Sequence, residues 1–314
     1  MKTRFIFNPH SGRHRRRPGF AGAIRDFIAS RSLDADFAIT EGPGHATELA
    51  REAVQAGHEV VVAIGGDGTM NEVAQGLIHS PAALALVPCG SGNGLALHLG
   101  LPRNPLVALQ LATGAGGRVV AVDTGTANGR PFFNAMGLGL DADVSRRFNL
   151  LTRRGLPAYV RVAVAALREL RPQRCIIAAG SRVESVDVLL IAVANSDQYG
   201  NNAFIAPGAR VDDGRLDLVA IRAGGFLATA ALVPRLFLGN LDQSPLITRL
   251  TGPRFTIDRV APGLIHTDGE THTAGARVEI VVQPRSLRML VPMASDAVAR
   301  VRAAASARFA LQLP

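Results

Sequence analysis

Apolar positions in the first third of the chain switch repeatedly between two periods. Phe5, Ile6 and Phe7 form a short run that stops at Asn8-Pro9, and from Phe20 to Ser30 the apolar residues fall at helical spacing. Phe37 to Thr40 ends a second extended run, after which His45 to Ala56 returns to the helical period. From Glu59 to Gly65 the chain is apolar without alternation and rich in β-branched residues, which predicts a parallel strand buried on both faces. Thr69 to Ile78 reads as a helix, Ala83 to Val87 as a fourth strand, and Leu95 onward as helix again. Strict alternation of this kind predicts a parallel sheet covered on both sides.

Beyond Arg118 the pattern changes. Short β-rich segments begin at Arg118, Pro131, Val186, Gly214, Arg254 and Ala276, separated by Gly, Asn, Asp or Pro turns. They predict an antiparallel β domain. Helices are expected within it at Asp141 to Phe148, Leu156 to Leu170 and Phe226 to Leu238, with a helix or tail from Asp296 to Ala310. The predicted division is an α/β domain over 1–117, a β domain over 118–285, and a segment, 286–314, that returns to the first domain. The length of 314 residues suits two domains, and 47% hydrophobic with 19% charged residues excludes disorder and fibrous repeats.

The opening MKTRFIFNPHSG reaches a turn after three apolar residues, and no later stretch runs to ~18 apolar residues without a charge or proline, so neither a secretory leader nor a membrane span is predicted and a cytoplasmic protein is expected. Cys89 and Cys175 are too few for a disulfide framework or a zinc site and are expected as small buried residues. The net charge is +9, yet Lys2 is the only lysine. That removes the P-loop, the protein-kinase strand lysine and Schiff-base chemistry, and leaves phosphate handling to backbone amides and arginine. The arginine excess, which includes His14-Arg15-Arg16-Arg17, reads either as a solvated surface bias or as attraction to anionic lipid or nucleotide. Dispersed arginines, 5% aromatics and no Trp point away from nucleic acid.

The string Gly65-Gly66-Asp67-Gly68-Thr69-Met70-Asn71-Glu72 lies between a buried strand and a helix. Glycine lets backbone approach a ligand, and free amides at a helix start suit a phosphate. Asp67 fits there if a divalent cation or water separates it from the anion. A second turn, Pro88-Cys89-Gly90-Ser91-Gly92-Asn93-Gly94, and the first loop, Asn8-Pro9-His10-Ser11-Gly12, follow other parallel strands and open on the same carboxyl edge of the sheet. Each taken alone is also an ordinary turn.

These strings, in this order and with Thr40-Glu41-Gly42-Pro43-Gly44-His45-Ala46 between them, resemble the diacylglycerol kinase catalytic-domain family. Asp123-Thr124-Gly125, Asn134-Ala135-Met136-Gly137-Leu138-Gly139 and His266-Thr267-Asp268-Gly269-Glu270 extend the resemblance over nearly the whole chain. It implies an N-terminal nucleotide-binding domain similar to those of NAD kinases and phosphofructokinases, a C-terminal antiparallel β-sandwich, and an active site in the cleft between them. It further implies that Asn8, Thr40, Gly65, Gly66, Asp67, Gly68, Thr69, Met70, Asn71 and Ser91 serve ATP. Asp67 and Asp123 would organise Mg2+, and Asp268 or Glu270 would supply the catalytic carboxylate, Asp268 being favoured. Some bacterial members hold a second Mg2+ through carbonyls matching Arg210 and Arg215 and the carboxylate matching Asp213; an Asp-Asp-Gly hairpin turn is the other reading. A carboxylate near an alcohol proton can act as base while the γ-phosphate is held in line. His266 is expected as a packed or hydrogen-bonding neighbour.

The implied activity is ATP- and Mg2+-dependent phosphorylation of a hydroxyl on a membrane lipid, diacylglycerol or sphingoid-like, at an anionic membrane surface. The alternatives are a kinase of a soluble hydroxyl substrate such as NAD and a silent nucleotide- or lipid-binding regulator, and the family pattern leaves room for a homodimer. Gly94 stands where many bacterial diacylglycerol kinases carry Asp, so the acceptor stays open. The apolar stretch from Gly224 to Leu238 is read as a buried core helix or as a surface touching lipid.

Overall fold

The computed structural model describes residues 1–11, 19–149, 161–162, 165–166 and 172–293. The basic run at 14–17, nearly all of the expected helix at 156–170 and the expected helix or tail at 296–310 lie outside these residues. The chain forms two compact units. One comprises Met1–Val122 and, among the described residues, Arg285 to Met293; the other is Asp123–Pro284.

The first unit has a parallel sheet. Strands β1 (Thr3–Phe7), β2 (Ala35–Ile39), β3 (Val60–Gly65) and β4 (Ala83–Pro88) lie in the order 2-1-3-4. Helices α1 (Phe20–Ser30), α2 (His45–Gln55), α3 (Asp67–Leu77), α4 (Gly94–His98) and α5 (Pro105–Ala112) alternate with them. β3 is buried at every position, as its unbroken apolar run predicts. Its Val62 and Ile64 join Phe5, Phe7, Ile24, Ala85 and Leu290 in one core.

Two helices differ from expectation. α3 starts at Asp67 rather than Thr69: Gly66 is the extended N-cap, and Met70 donates its N–H to the Gly66 carbonyl at 3.0 Å. Asp67 and Gly68 therefore occupy the first helical turn. The helix from Leu95 does not run on; Gly100 at φ +70° and Pro102 break it, and α5 restarts with Pro105 after Asn104, whose side chain accepts the Leu106 N–H.

The chain leaves the first unit along β5 (Gly117–Ala127) and returns along β15 (Arg277–Pro292). At the far end of β15, Arg288 and Met289 pair in parallel with Ala83 and Leu84 of β4, giving the first sheet its fifth strand. The apolar run predicted from Ala276 is thus the first part of a longer strand that serves both units.

The second unit is antiparallel β. It holds β6 (Arg130–Phe132), β7 (Ala135–Gly139), β8 (Gln173–Ala179), β9 (Arg182–Ala194), β10 (Leu216–Arg222), β11 (Ile247–Gly252), β12 (Arg254–Arg259), β13 (Gly263–Thr267) and β14 (Glu270–Ala274). β7 pairs with β9 and β13, β9 with β8 and β10, and β12 with β8 and β15. Phe132, Met136, Ile191, Val193, Leu218 and Phe255 pack inside the resulting sandwich. β8 and β11 are absent from the sequence expectation: Arg249 and two threonines break the apolar signal of β11, and that of β8 is a short run, Cys175 to Ala179, ending in alanines. α6 (Leu140–Asn149) follows β7. The helix expected from Phe226 to Leu238 is two pieces, α7 (Phe226–Ala230) and α8 (Leu232–Leu238), since Pro234 has no N–H to continue the first.

Candidate active-site residues in the two units

In the first unit the carboxyl ends of all four N-terminal strands carry candidate residues. Asn8 follows β1, Thr40 follows β2, the Gly65–Asn71 turn follows β3, and the second glycine turn follows β4. The order 2-1-3-4 reverses direction between β1 and β3, where open α/β sheets leave a crevice for ligand. At that point Asn8 Nδ2 donates to Thr69 Oγ1 at 2.9 Å. Thr40 is buried and donates its N–H to the Phe7 carbonyl at 2.9 Å.

Asp67 joins the two glycine turns. Its Oδ2 accepts the Asn93 N–H at 2.9 Å and its Oδ1 the Gly94 N–H at 3.1 Å. Asn93, left-handed at φ +53°, closes its own turn by exchanging side-chain bonds with the Gly90 N–H and carbonyl. Burial pushes the Asp67 carboxyl above its usual range, against the opposing pull of these amides. The turns also touch backbone to backbone, because a Cβ on Gly90 would lie 2.8 Å from Gly66 Cα. Gly66, Asp67, Met70, Pro88 and Asn93 line a small cavity, while Gly68 and Ser91 face solvent. Asn71 is buried with its Oδ1 unpartnered.

In the second unit Asp268 and Gly269 form the tight turn between β13 and β14, at φ +50° and +86°. The Asp268 carboxylate accepts three successive backbone N–H groups: Phe133 on Oδ2 at 2.7 Å, and Asn134 and Ala135 on Oδ1 at 2.8 and 2.9 Å. Burial nevertheless pushes it up to about 6, those amides and His266 opposing the shift. Glu270 is exposed at the start of β14.

His266 sits behind this turn. Its Nδ1 accepts the Gly269 N–H at 3.2 Å, which places the proton of the neutral ring on Nε2, and Nε2 stands 3.0 Å from the buried Asp141 Oδ2. The Tyr199 hydroxyl donates to the same oxygen at 2.5 Å. Gly137 lies opposite His266 in the ladder, and a Cβ there would run into the Asp141 carboxylate and come within 2.6 Å of His266 Nε2. Gly137→Ala is therefore expected to destabilise this unit by about 1–3 kcal/mol, read as a lower urea midpoint at unchanged slope.

Asp123 is buried, and its Oδ2 accepts the Gly214 N–H at 2.7 Å while its own N–H donates to the Val211 carbonyl at 2.6 Å. It thus holds the Arg210 to Arg215 loop. That loop is not a hairpin turn, since it ends the long connection between Ala194 and Leu216. Loss of water and the nearby Asp217 and Asp123 charges raise the Asp213 carboxyl, with the Arg215 N–H opposing. Arg210 pairs with Asp212 at 2.9 Å. Among the described residues no three His, Cys, Asp or Glu side chains gather to hold a metal.

Asn195 to Gln198 form a group the sequence reading missed. All four are buried. Asn195 Nδ2 donates to both the Asp123 and Phe133 carbonyls at 2.8 Å, tying the strand of Asp123 to the amides that hold Asp268. Asn134 donates to the Gln198 carbonyl at 3.1 Å and accepts from the Ser196 hydroxyl. The available signal was a run of polar residues directly after the apolar strand ending at Ala194.

Comparison with known proteins agrees with this architecture. Residues 2–127 match the model of the diacylglycerol kinase catalytic domain, and residues 134–291 that of the YegS C-terminal NAD kinase beta sandwich-like domain. A protein of Enterobacter sp. (strain 638), named "Probable lipid kinase YegS-like", is 32% identical over 265 residues, covering 81% of this chain and 85% of its own. A protein of Bacillus subtilis (strain 168) named "Diacylglycerol kinase" is 30% identical over 227 residues, covering 70% and 74%. In fold, a diacylglycerol kinase from Bacillus anthracis str. Sterne superposes with a TM-score of 0.72 at 20% identity over 94% of this chain and 98% of that one. An NAD kinase from Archaeoglobus fulgidus in complex with ATP does so at 0.55 and 13% identity over 96% and 99%. The glycine turns stitched by Asp67, the sandwich that carries Asp268, and relatives aligned across both together place this chain in the diacylglycerol kinase catalytic-domain family, in its two-domain YegS-like form.

Proposed function

We propose that this protein transfers the γ-phosphate of ATP to a hydroxyl group of a membrane lipid of the diacylglycerol or sphingoid type. The observation that carries the reading is the pair of glycine turns at the carboxyl edge of the first sheet, pressed together and bonded through Asp67. Such a bare backbone surface, next to the amides that open α3, suits a polyphosphate in a chain whose only lysine is Lys2.

In this reading Asn8, Thr40, Ser91 and the Gly65–Asn71 turn orient the nucleotide. Asp268 takes the acceptor's hydroxyl proton as its oxygen attacks the γ-phosphorus and the bond to the β–γ bridging oxygen breaks, releasing ADP. With a value of about 6, Asp268 is ionised at neutral pH yet more basic than an ordinary carboxylate. Glu270, exposed beside it, is the other candidate for this proton. Mg2+ suits the groups present: Asp67 and Asp213 are carboxylates raised by burial, and nearby positive charge relieves that cost. In the first unit Asp67 would serve Mg2+ at the nucleotide; in the second, Asp123 is the other carboxylate the family pattern assigns to Mg2+, and Asp213, with the carbonyls of Arg210 and Arg215, would hold a second ion. When bound it supplies charge neutralisation at phosphate oxygens. Among the described residues no helix is long and apolar enough to cross a membrane, and the protein is proposed to meet its substrate as a peripheral protein at an anionic surface.

The test is transfer of radiolabelled γ-phosphate from ATP to a total lipid extract dispersed in detergent, with Mg2+ and with chelator. Label is expected in the organic phase and only with Mg2+. Label confined to a soluble acceptor such as NAD, or no transfer at all, overturns the reading.

A further inference from the structure

The segment after β10 is apolar all round, yet half of it lies in water. On its inner side Thr229 and Leu232 are buried, and Leu232 and Leu236 pack with the core under β9 and β10. On its outer side Phe226 is 49% exposed, Leu227 82%, Val233 38% and Leu238 68%. A surface helix of a water-soluble protein ordinarily turns charged residues outward. Here, between Asp217 and Asp242, the only charged residues are Arg222 and Arg235. Helices that are apolar on both sides need a second apolar medium, and an exposed patch of this kind marks a contact site.

The geometry points to α7 and α8 as the face that seats this protein on an anionic lipid bilayer, with Phe226, Leu227, Val233 and Leu238 entering the acyl boundary. The charges select this occupant. Both are cationic, Arg222 is exposed and Arg235 half-buried, and no acidic side chain occurs in the segment to repel anionic headgroups. Large apolar side chains turned outward with arginine at their margin suit the boundary between acyl chains and anionic headgroups. The choice of a bilayer rests in part on the lipid-kinase reading, but binding can be measured without turnover.

Leu227→Glu and Leu238→Glu change side chains that are mostly in water, so both variants are expected to fold, as thermal melting will show. Co-sedimentation with phosphatidylcholine vesicles containing phosphatidylglycerol is expected to fall about tenfold or more in each. Val183→Glu, 64% exposed on β9 and outside this segment, is expected to bind as wild type. Turnover on detergent-dispersed diacylglycerol should persist in all three. Wild-type binding should weaken with added salt and without phosphatidylglycerol. Unchanged vesicle binding in the two variants, or an equal loss in Val183→Glu, overturns the proposal. So does equal wild-type binding to vesicles of phosphatidylcholine alone, or a dimer in sedimentation that Leu227→Glu converts to monomer, which gives the face to a second copy. Patch-dependent binding without lipid phosphorylation removes the kinase reading and leaves the docking face standing.

Discussion

Asp268→Asn is expected to lower kcat by about 10²–10⁴-fold, the range for a lost general base, with much smaller change in the affinity for ATP. The wild-type rate should fall on acidification with a midpoint near 6, well above an ordinary carboxylate, because burial holds Asp268 at about 6. The variant should lose that inflection. Stability moves the opposite way. A carboxyl raised in the folded state contributes stability that is fully present below its ordinary value of 3.8 and lost as pH rises through about 6. Urea titrations of wild type at pH 4 to 7 should show this loss, and those of the variant should not. An asparagine must also turn its NH2 toward one of the N–H groups of Phe133, Asn134 or Ala135, so some loosening of that turn is expected. The pH profile separates the two effects. If Glu270→Gln is the more damaging change while Asp268→Asn keeps most of its rate, Glu270 is the base and Asp268 is the anchor of residues 133–135.

Asp67→Ala is expected to abolish measurable turnover and to weaken ATP binding. The change removes a carboxylate from the turn proposed to face phosphate and leaves the N–H groups of Asn93 and Gly94 without their acceptor. Orphaned buried amides cost about 1–3 kcal/mol each, while relief of a carboxylate held in partial burial returns part of that. A modest fall in melting temperature should accompany the lost activity. Asp67→Asn keeps one acceptor and should melt closer to wild type, yet stay inactive if the charge is what the reaction uses. Full activity in either variant at saturating Mg2+ removes this turn from the proposed site.

The alternation of strand and helix in the first unit was legible because each element carries its own period: β3 is a run of β-branched residues and α2 an amphipathic one. Helix breaks at Gly100 and Pro234 were written in the sequence too, but the apolar runs around them overrode the reading. β8 and β11 escaped for a different reason. Their pattern is mixed, and only pairing with β9, β12 and β10 makes strands of them.

Candidate residues were visible as glycine-rich strings, whereas their partners were not. Nothing local ties Asp67 to Asn93, Asp268 to Phe133, or Asp141 to His266, because each pair is brought together by a different strand pairing or turn. Asp123 shows the limit most plainly. The family resemblance gives it a place at Mg2+, but no local signal shows that in the fold its carboxylate and its amide also hold the loop from Arg210 to Arg215.

The route of the chain through β5 and β15 bears on how the protein is made. The edge of β4 that Arg288 and Met289 cover stays open until residues 123–284 have been synthesised. At about 5–20 residues per second the wait from Pro88 to Met289 lasts roughly ten to forty seconds. Throughout it the strand Ala83–Pro88, almost wholly apolar, offers an unpaired edge to any other nascent chain nearby. Crowded polysomes and slow translation downstream of Val122 are thus the conditions under which this molecule is most exposed to misassembly.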